Sequence, residues 1–145
     1  MDSAAAMLPW ARLALDAALR ANAAKNGKRI ACIGAGPASL TVARDLAPLG
    51  YEVTVFDGEA KAGGFMWSQI PRFRLPETVI DEETGYIFDM GVQFKSGHRI
   101  ESMKGLLAQG YDAVFVGSGA PRGRDLDVPG RKEAAKNIHI GIDWL

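Results

Sequence analysis

A glycine-rich turn between an apolar strand and an amphipathic helix most constrains the fold. The apolar run RIACI predicts a buried strand over Arg29–Ile33. The run ASLTVARDLAPL has helical spacing over Ala38–Leu49, and Gly50 is placed to end that helix. YEVTVFD then alternates as a second strand. Strand, turn, helix and strand in this order form a βαβ unit, so the sequence predicts an α/β fold with a parallel sheet.

The turn matches the pattern GxGxxG except that Ser39 stands at the third glycine. Gly34 permits the tight turn out of the strand, and Gly36 has no Cβ to obstruct an approaching pyrophosphate. Pro37 has its φ preset for the first turn of a helix, whose free N–H groups and positive dipole end then face the phosphates. The predicted phosphate-binding residues are Gly34, Ala35, Gly36, Pro37 and Ala38.

An acidic residue follows the turn at the spacing that a bound ribose requires. Asp57 ends the second strand about twenty residues on, where its carboxylate can accept hydrogen bonds from ribose hydroxyls. A glycine motif alone is weak evidence, but here it lies between a strand and a helix and precedes an acid. We therefore predict binding of an adenine dinucleotide; a glycine-rich turn without a ligand is the alternative.

Composition excludes several other classes of function. The chain of 145 residues has the size of one domain, and its 17 basic residues balance 17 acidic ones, which favours neither nucleic acid nor an anionic membrane as partner. The single cysteine, Cys32, excludes a disulfide framework and a cysteine-ligated iron–sulfur cluster within the chain. We interpret it as a buried strand residue. His98 and His139 stand alone, so no metal site and no catalytic side chain is predicted.

The first twenty residues are apolar but interrupted by charges, unlike a signal peptide or a membrane span. They predict an amphipathic helix over Pro9–Ala24, and a cytoplasmic location is the default.

After Asp57 a long loop contains the pair Gly63-Gly64, which suggests a second close approach of backbone to ligand. A helix over Glu77–Met90, a strand in VQFKSG, a small helix in SMKGLLAQG and a strand in DAVFVGSGA follow, and the charged stretch from Pro121 to Asn137 is interpreted as surface loop.

Together these motifs resemble the flavin domains of the glutamate synthase small subunit and of dihydropyrimidine dehydrogenase. The resemblance covers nearly everything from Gly27 onward. The segments that carry it are GAGPASL (Gly34–Leu40), VTVFD (Val53–Asp57), AGG (Ala62–Gly64), IPRFRLP (Ile70–Pro76), YDAVFVGSGA (Tyr111–Ala120) and VPG (Val128–Gly130).

The resemblance implies a Rossmann-like, three-layer FAD/NAD(P)-binding fold in an NAD(P)H-dependent flavin oxidoreductase. In that family a first domain binds FAD, and an inserted second domain binds NADPH and supplies hydride to the flavin. The implied FAD-binding residues are Gly34 to Ala38 at the pyrophosphate, Asp57 at the adenosine ribose, Gly63 and Gly64 against the cofactor, Arg74 from the loop, and the backbone of Ile100 at the adenine end.

Two departures from the family shape the prediction. A cysteine-rich iron–sulfur region does not precede the flavin motifs, and no second strand–glycine–helix unit for NAD(P)H occurs. We therefore expect a helical segment over 1–26 and the first segment of an incomplete flavin domain over 27–145, without the NAD(P)H domain. Electrons would pass to an iron–sulfur subunit or domain, or to a ferredoxin. The alternatives are a plain NAD(P)-binding dehydrogenase domain and a non-catalytic docking module.

Overall fold

The computed structural model describes residues 25–143, and their centre is a four-stranded parallel sheet. The strands are β1 (Arg29–Ile33), β2 (Glu52–Phe56), β3 (Gln93–Lys95) and β4 (Ala113–Val116). Their order is β3-β2-β1-β4, so β1 and β2 are central. The predicted strand Arg29–Ile33 is confirmed to the residue, and the predicted parallel α/β fold is confirmed. The predicted helix over Pro9–Ala24 lies outside the described residues.

Four α-helices connect the strands. They are α1 (Pro37–Leu46), α2 (Phe65–Ser68), α3 (Glu77–Asp89) and α4 (Met103–Leu107). The α-helix predicted to reach Leu49 is wrong in its last turn, because Ala47–Leu49 form a 3-10 helix around Pro48, which has no N–H to donate. Gly50 follows in the left-handed conformation, as predicted for a helix end.

The helices cover both faces of the sheet and make three layers. Alternate residues of β1 point to opposite faces, so that Cys32 packs on the side of α1 and α3, whereas Ala31 packs on the side of α4. Both β1 residues are fully buried. The predicted burial of Cys32 is thus confirmed, and burial raises the pKa of its thiol to about 11. Within residues 25–143, no helix is long and apolar enough to cross a membrane.

A serine at the third glycine position is accommodated at the contact between α1 and the turn after β4. Ser39 is completely buried, and its hydroxyl donates a long hydrogen bond of 3.5 Å to the carbonyl of Ile33. A Cβ added to Gly117 would collide with the Ser39 hydroxyl. The helix therefore packs on the sheet with a serine at position 39 because the facing residue has no side chain.

Candidate functional site

The turn between β1 and α1 uses its first two glycines for different reasons. Gly34 has a φ of +89°, and an added Cβ would lie 2.6 Å from the carbonyl oxygen of Gly117, so both the backbone and the packing require glycine there. Gly36 has an ordinary φ of −80°, and the nearest atoms to an added Cβ lie 4.0 Å away. The fold therefore tolerates a side chain at Gly36, and the space beside it stays open.

The open space lies at the N-terminus of α1. Gly36 is the N-cap residue and Pro37 begins the helix, as predicted, and no side chain of the described part of the chain caps this end. The N–H groups of the first turn are therefore left for solvent or a ligand. The helix dipole makes the same position favourable for an anion.

Asp57 connects the end of β2 to this turn through one carboxylate oxygen, and its other oxygen binds the backbone just after β2. Oδ2 accepts a hydrogen bond of 2.6 Å from the backbone N–H of Ala35, and Oδ1 accepts one of 2.9 Å from the N–H of Glu59. The Asp57 carbonyl accepts a hydrogen bond of 2.7 Å from His98 N–H. Because a carboxylate offers about four lone-pair sites, it can still accept hydroxyl donors. The structure thus gives Asp57 a role in shaping the turn that sequence analysis missed.

The pair Gly63-Gly64 approaches the same turn from the long loop. The Gly63 N–H donates a hydrogen bond of 2.8 Å to the carbonyl of Ala35, and an added Cβ on Gly64 would lie 2.8 Å from Gly36 Cα. The structure thus shows a contact of this pair with the first glycine turn, and the close approach to a ligand stays a prediction. Both glycines have positive φ, +121° and +53°, so this contact depends on their backbone freedom.

Ion pairs attach the long loop to α3, and a cation–π contact joins two parts of the loop. Lys61 forms an ion pair with Glu77 and a second one, at 3.0 Å, with Asp81. Hydrogen bonding to Lys61 lowers the pKa of Glu77, and hydrogen bonds to Glu77 and Asp81 raise the pKa of Lys61. The Arg72 guanidinium lies 4.9 Å from the centre of the Trp67 ring. The ion pairs therefore hold Lys61 against α3, and the cation–π contact holds Trp67 of α2 against the segment that follows it.

A cleft of about 430 Å³ opens beside this arrangement, at the carboxyl ends of the strands. Parallel α/β sheets bind their ligands at this edge. Of the predicted site residues, Gly34, Asp57, Gly64 and Ile100 line the cleft. Ala35 and Gly63 are buried behind it, and Gly36 and Pro37 lie at the start of α1.

The remaining two predicted site residues, Ala38 and Arg74, are also absent from the cleft lining. Ala38 is exposed on the first turn of α1. The Arg74 side chain is also exposed, and its backbone N–H bonds to the carbonyl of Pro71. Arg72 is exposed as well, and its guanidinium lies over the Trp67 ring.

Several residues that line the cleft were not predicted as site residues. They are Gly58, Glu59, Lys61, Phe65, Trp67, Ser68, Gln69, His98, Arg99 and Ser118 to Pro121, besides the strand ends Ile33 and Phe56. His98 packs against Phe56, with ring centres 5.4 Å apart. The sequence feature that could have identified these residues is their place in the chain, because each follows a strand or the paired glycines. Among residues 25–143, no cluster of three or more metal-ligating side chains occurs.

Comparison with known proteins gives matches over most of the chain. Residues 32–109 match the family of NAD(P)-binding Rossmann-like domains. The NAD-dependent dihydropyrimidine dehydrogenase subunit PreT homolog of Salmonella typhi is 37% identical over 123 residues, which are 83% of this chain and 29% of that protein. The glutamate synthase [NADPH] small chain of Bacillus subtilis (strain 168) is 32% identical over 123 residues, 83% of this chain and 24% of that protein. The resemblance identified from the motifs is confirmed.

The chain thus spans about a quarter of the length of these curated relatives. Among solved structures, Mycobacterium tuberculosis FprA in complex with NADPH superposes with a TM-score of 0.61 and 22% identity. The match covers 72% of this chain and 25% of FprA. At that identity it shows a shared fold.

Proposed function

Because the chain belongs to the family of NAD(P)-binding Rossmann-like domains, we propose that it is the FAD-binding portion of an NAD(P)H-dependent flavin oxidoreductase. The observation that carries this proposal is the open space at Gly36. Neither backbone strain nor a neighbouring atom requires glycine there, yet the residue borders an uncapped helix N-terminus. A pyrophosphate is the kind of group that such a position accommodates.

The long loop favours FAD over NAD(P) as the dinucleotide of this site. A plain dehydrogenase domain continues after its acidic residue into further strands and helices, whereas here the loop returns to the first turn through Gly63 and Gly64. The loop continues into IPRFRLP, part of the resemblance to flavin domains. The relatives named glutamate synthase [NADPH] small chain and dihydropyrimidine dehydrogenase subunit support the same proposal.

The protein's contribution is binding and orientation. When bound, FAD would supply the chemistry of accepting a hydride and passing electrons on. The N-terminus of α1 would face the pyrophosphate, Asp57 would accept hydrogen bonds from the adenosine ribose, and the backbone near Ile100 would border the adenine. Of the other predicted site residues, Gly63 and Gly64 would hold the loop against the cofactor, and Arg74 would contact it from the loop. No side chain is assigned as an acid or a base.

The electron acceptor is proposed to lie outside this chain. One cysteine cannot ligate an iron–sulfur cluster by itself, so an iron–sulfur subunit or domain, or a ferredoxin, would receive the electrons. This part of the proposal rests on the resemblance and on the relatives being subunits of larger enzymes. The proposals that NAD(P)H reduces the complete enzyme and that its location is cytoplasmic rest on the same resemblance and relatives.

Titration of the chain with FAD, followed by flavin fluorescence, tests the proposal, with NADPH as a parallel ligand. We expect saturable binding of FAD and no saturable binding of NADPH. Preference for NADPH would favour the plain dehydrogenase domain instead. Binding of neither ligand by a folded chain would contradict the proposal for these residues, and a docking module would then be the better interpretation.

A second prediction concerns Asp57, which is proposed to accept hydrogen bonds from the ribose and which also accepts one from the backbone of the turn. Asp57→Ala removes the acceptors for Ala35 and Glu59 N–H as well as those for the ribose. We expect it to weaken FAD binding by about 1–3 kcal/mol and to lower the free energy of unfolding of the ligand-free chain by a similar amount, the range for hydrogen bonds to a charged group.

Asp57→Asn is the matched control, since its amide oxygen can still accept one of the two backbone N–H groups. Urea unfolding should show a smaller loss of stability for Asp57→Asn than for Asp57→Ala. Equal FAD affinity in Asp57→Ala and the parent chain would remove the ribose assignment, and equal unfolding free energies would remove the role in the turn.

A further inference from the structure

His98 is an exposed aromatic residue on the wall of the cleft, and the proposed function has not used its side chain. Its ring packs against the ring of Phe56, with centres 5.4 Å apart and planes inclined at 48°. Phe56 is only 2% exposed, so the imidazole rests on a buried ring at the end of β2. An exposed planar ring that the core supports from one side can stack with a planar group of a ligand.

Backbone hydrogen bonds tie His98 to the residue that is proposed to bind the ribose. The His98 N–H donates to the carbonyl of Asp57 at 2.7 Å, and the Gly97 N–H donates to the carbonyl of Glu59 at 2.9 Å. The Asp57 N–H donates in turn to the carbonyl of Lys95 at 3.2 Å. These three bonds join the segment after β3 to the segment after β2, so a group bound at Asp57 has His98 as its neighbour.

The order of the strands gives the direction of a nucleotide along the cleft. β1, β2 and β3 are consecutive neighbours in the sheet, and the segments that follow them carry Gly36, Asp57 and His98 respectively. Adjacent strands are about 4.8 Å apart, so these three positions succeed one another across the edge of the sheet. In ADP the covalent order is pyrophosphate, ribose and adenine. With the pyrophosphate at Gly36 and the ribose at Asp57, the base extends toward His98.

Arg99 is the other large side chain that the segment after β3 contributes to this part of the cleft. Its guanidinium pairs with Glu101 at 3.4 Å, and both side chains are 81% exposed. His98 differs from Arg99 because its ring is held against a buried ring, and it is therefore the better placed of the two to receive the base.

We propose that the His98 imidazole stacks on the adenine base of the bound dinucleotide. The contact adds affinity for the adenosine half of the ligand that the phosphate turn and Asp57 do not supply. This inference rests on the proposed function, because it names a further contact within the same site.

The test measures FAD and ADP binding by the full 145-residue chain and by three variants of His98. His98→Phe keeps a planar ring, His98→Gln keeps a polar side chain without a ring, and His98→Ala keeps neither. We expect His98→Ala and His98→Gln to bind both ligands about five- to tenfold more weakly, as for loss of one stacked base, and His98→Phe to bind within about twofold of the parent. Gln93→Ala, at an exposed position of β3 outside the cleft lining, is the control and should leave both affinities unchanged.

Proton NMR gives a readout that a merely structural role of His98 would not change. The chain has two histidines, and the imidazole signals of His98 are identified by their absence from the spectrum of His98→Phe. At constant pH, ADP should shift these signals upfield, because protons above the face of a stacked base experience its ring current. Inorganic pyrophosphate has no base and should produce no upfield shift.

Full affinity for ADP in His98→Ala or in His98→Gln would overturn the proposal. An equal loss in His98→Phe and His98→Ala would overturn it too, because the effect would then belong to the imidazole nitrogens, and so would the lack of an upfield shift at saturating ADP. A parent chain that binds ADP but not FAD would refute the proposed function, while the ADP measurements would still decide this inference. Binding of neither ligand by the parent chain would refute both.

Discussion

Replacing Gly36 with glutamate is expected to abolish FAD binding by a chain that still folds. The φ of −80° is accessible to any residue, and the nearest atoms to an added Cβ lie 4.0 Å away, so the substitution requires no shift of the backbone. The carboxylate would occupy the space proposed for the pyrophosphate and would repel it. We expect FAD affinity to fall by about 100-fold or more, measured by fluorescence titration.

Gly36→Ala separates the effect of volume from the effect of charge. It adds one methyl group to the same space, and we expect an FAD affinity between those of the parent chain and Gly36→Glu. Circular dichroism should show the same secondary structure for all three proteins. A folded Gly36→Glu variant with the FAD affinity of the parent would remove the phosphate site from this turn.

Gly34→Ala, unlike Gly36→Glu, is expected to destabilise the fold itself. Alanine at a φ of +89° is strained, and its Cβ would lie 2.6 Å from the carbonyl oxygen of Gly117. Backbone strain and overpacking together should lower the free energy of unfolding by about 2–5 kcal/mol, measured by urea titration.

Gly27→Ala is the control for backbone strain alone. Gly27 has a φ of +76°, and no atom lies within 4 Å of the position of its added Cβ. Its substitution should cost about 1–2 kcal/mol. If Gly34→Ala and Gly27→Ala lower stability equally, the contact between the Gly34 turn and Gly117 does not constrain the fold.

Local sequence patterns were sufficient to predict the parallel sheet. The bounds of β1 follow from a short apolar run that ends in glycine, and the end of α1 is marked by Pro48 and Gly50. Helix α2 was missed because four residues inside a glycine-containing loop show no periodicity. Its position depends on a contact distant in sequence, that of its N-cap residue Gly64 with Gly36, which no local pattern encodes.

The candidate site was predictable where its residues belong to a motif with fixed spacing. Gly34, Gly36 and Asp57 belong to a motif with fixed spacing, and the structure brings them together at the end of β1. Gln69 and His98 carry no such spacing and reach the cleft only because of how the loops after Gly64 and β3 fold. Arg74 was assigned by resemblance, and its exposed position leaves that contact a prediction.

The contact between Ser39 and Gly117 links two positions that are 78 residues apart in the sequence. A Cβ at position 117 would lie 2.3 Å from the Ser39 hydroxyl oxygen and 3.0 Å from Cε1 of Phe115, so a side chain at 117 requires a smaller residue at 39 and a shift of the Phe115 ring. The two positions therefore form an epistatic pair. A single-site substitution scan in this background would score Gly117 as invariant, although a large part of the restriction originates in helix α1, at Ser39.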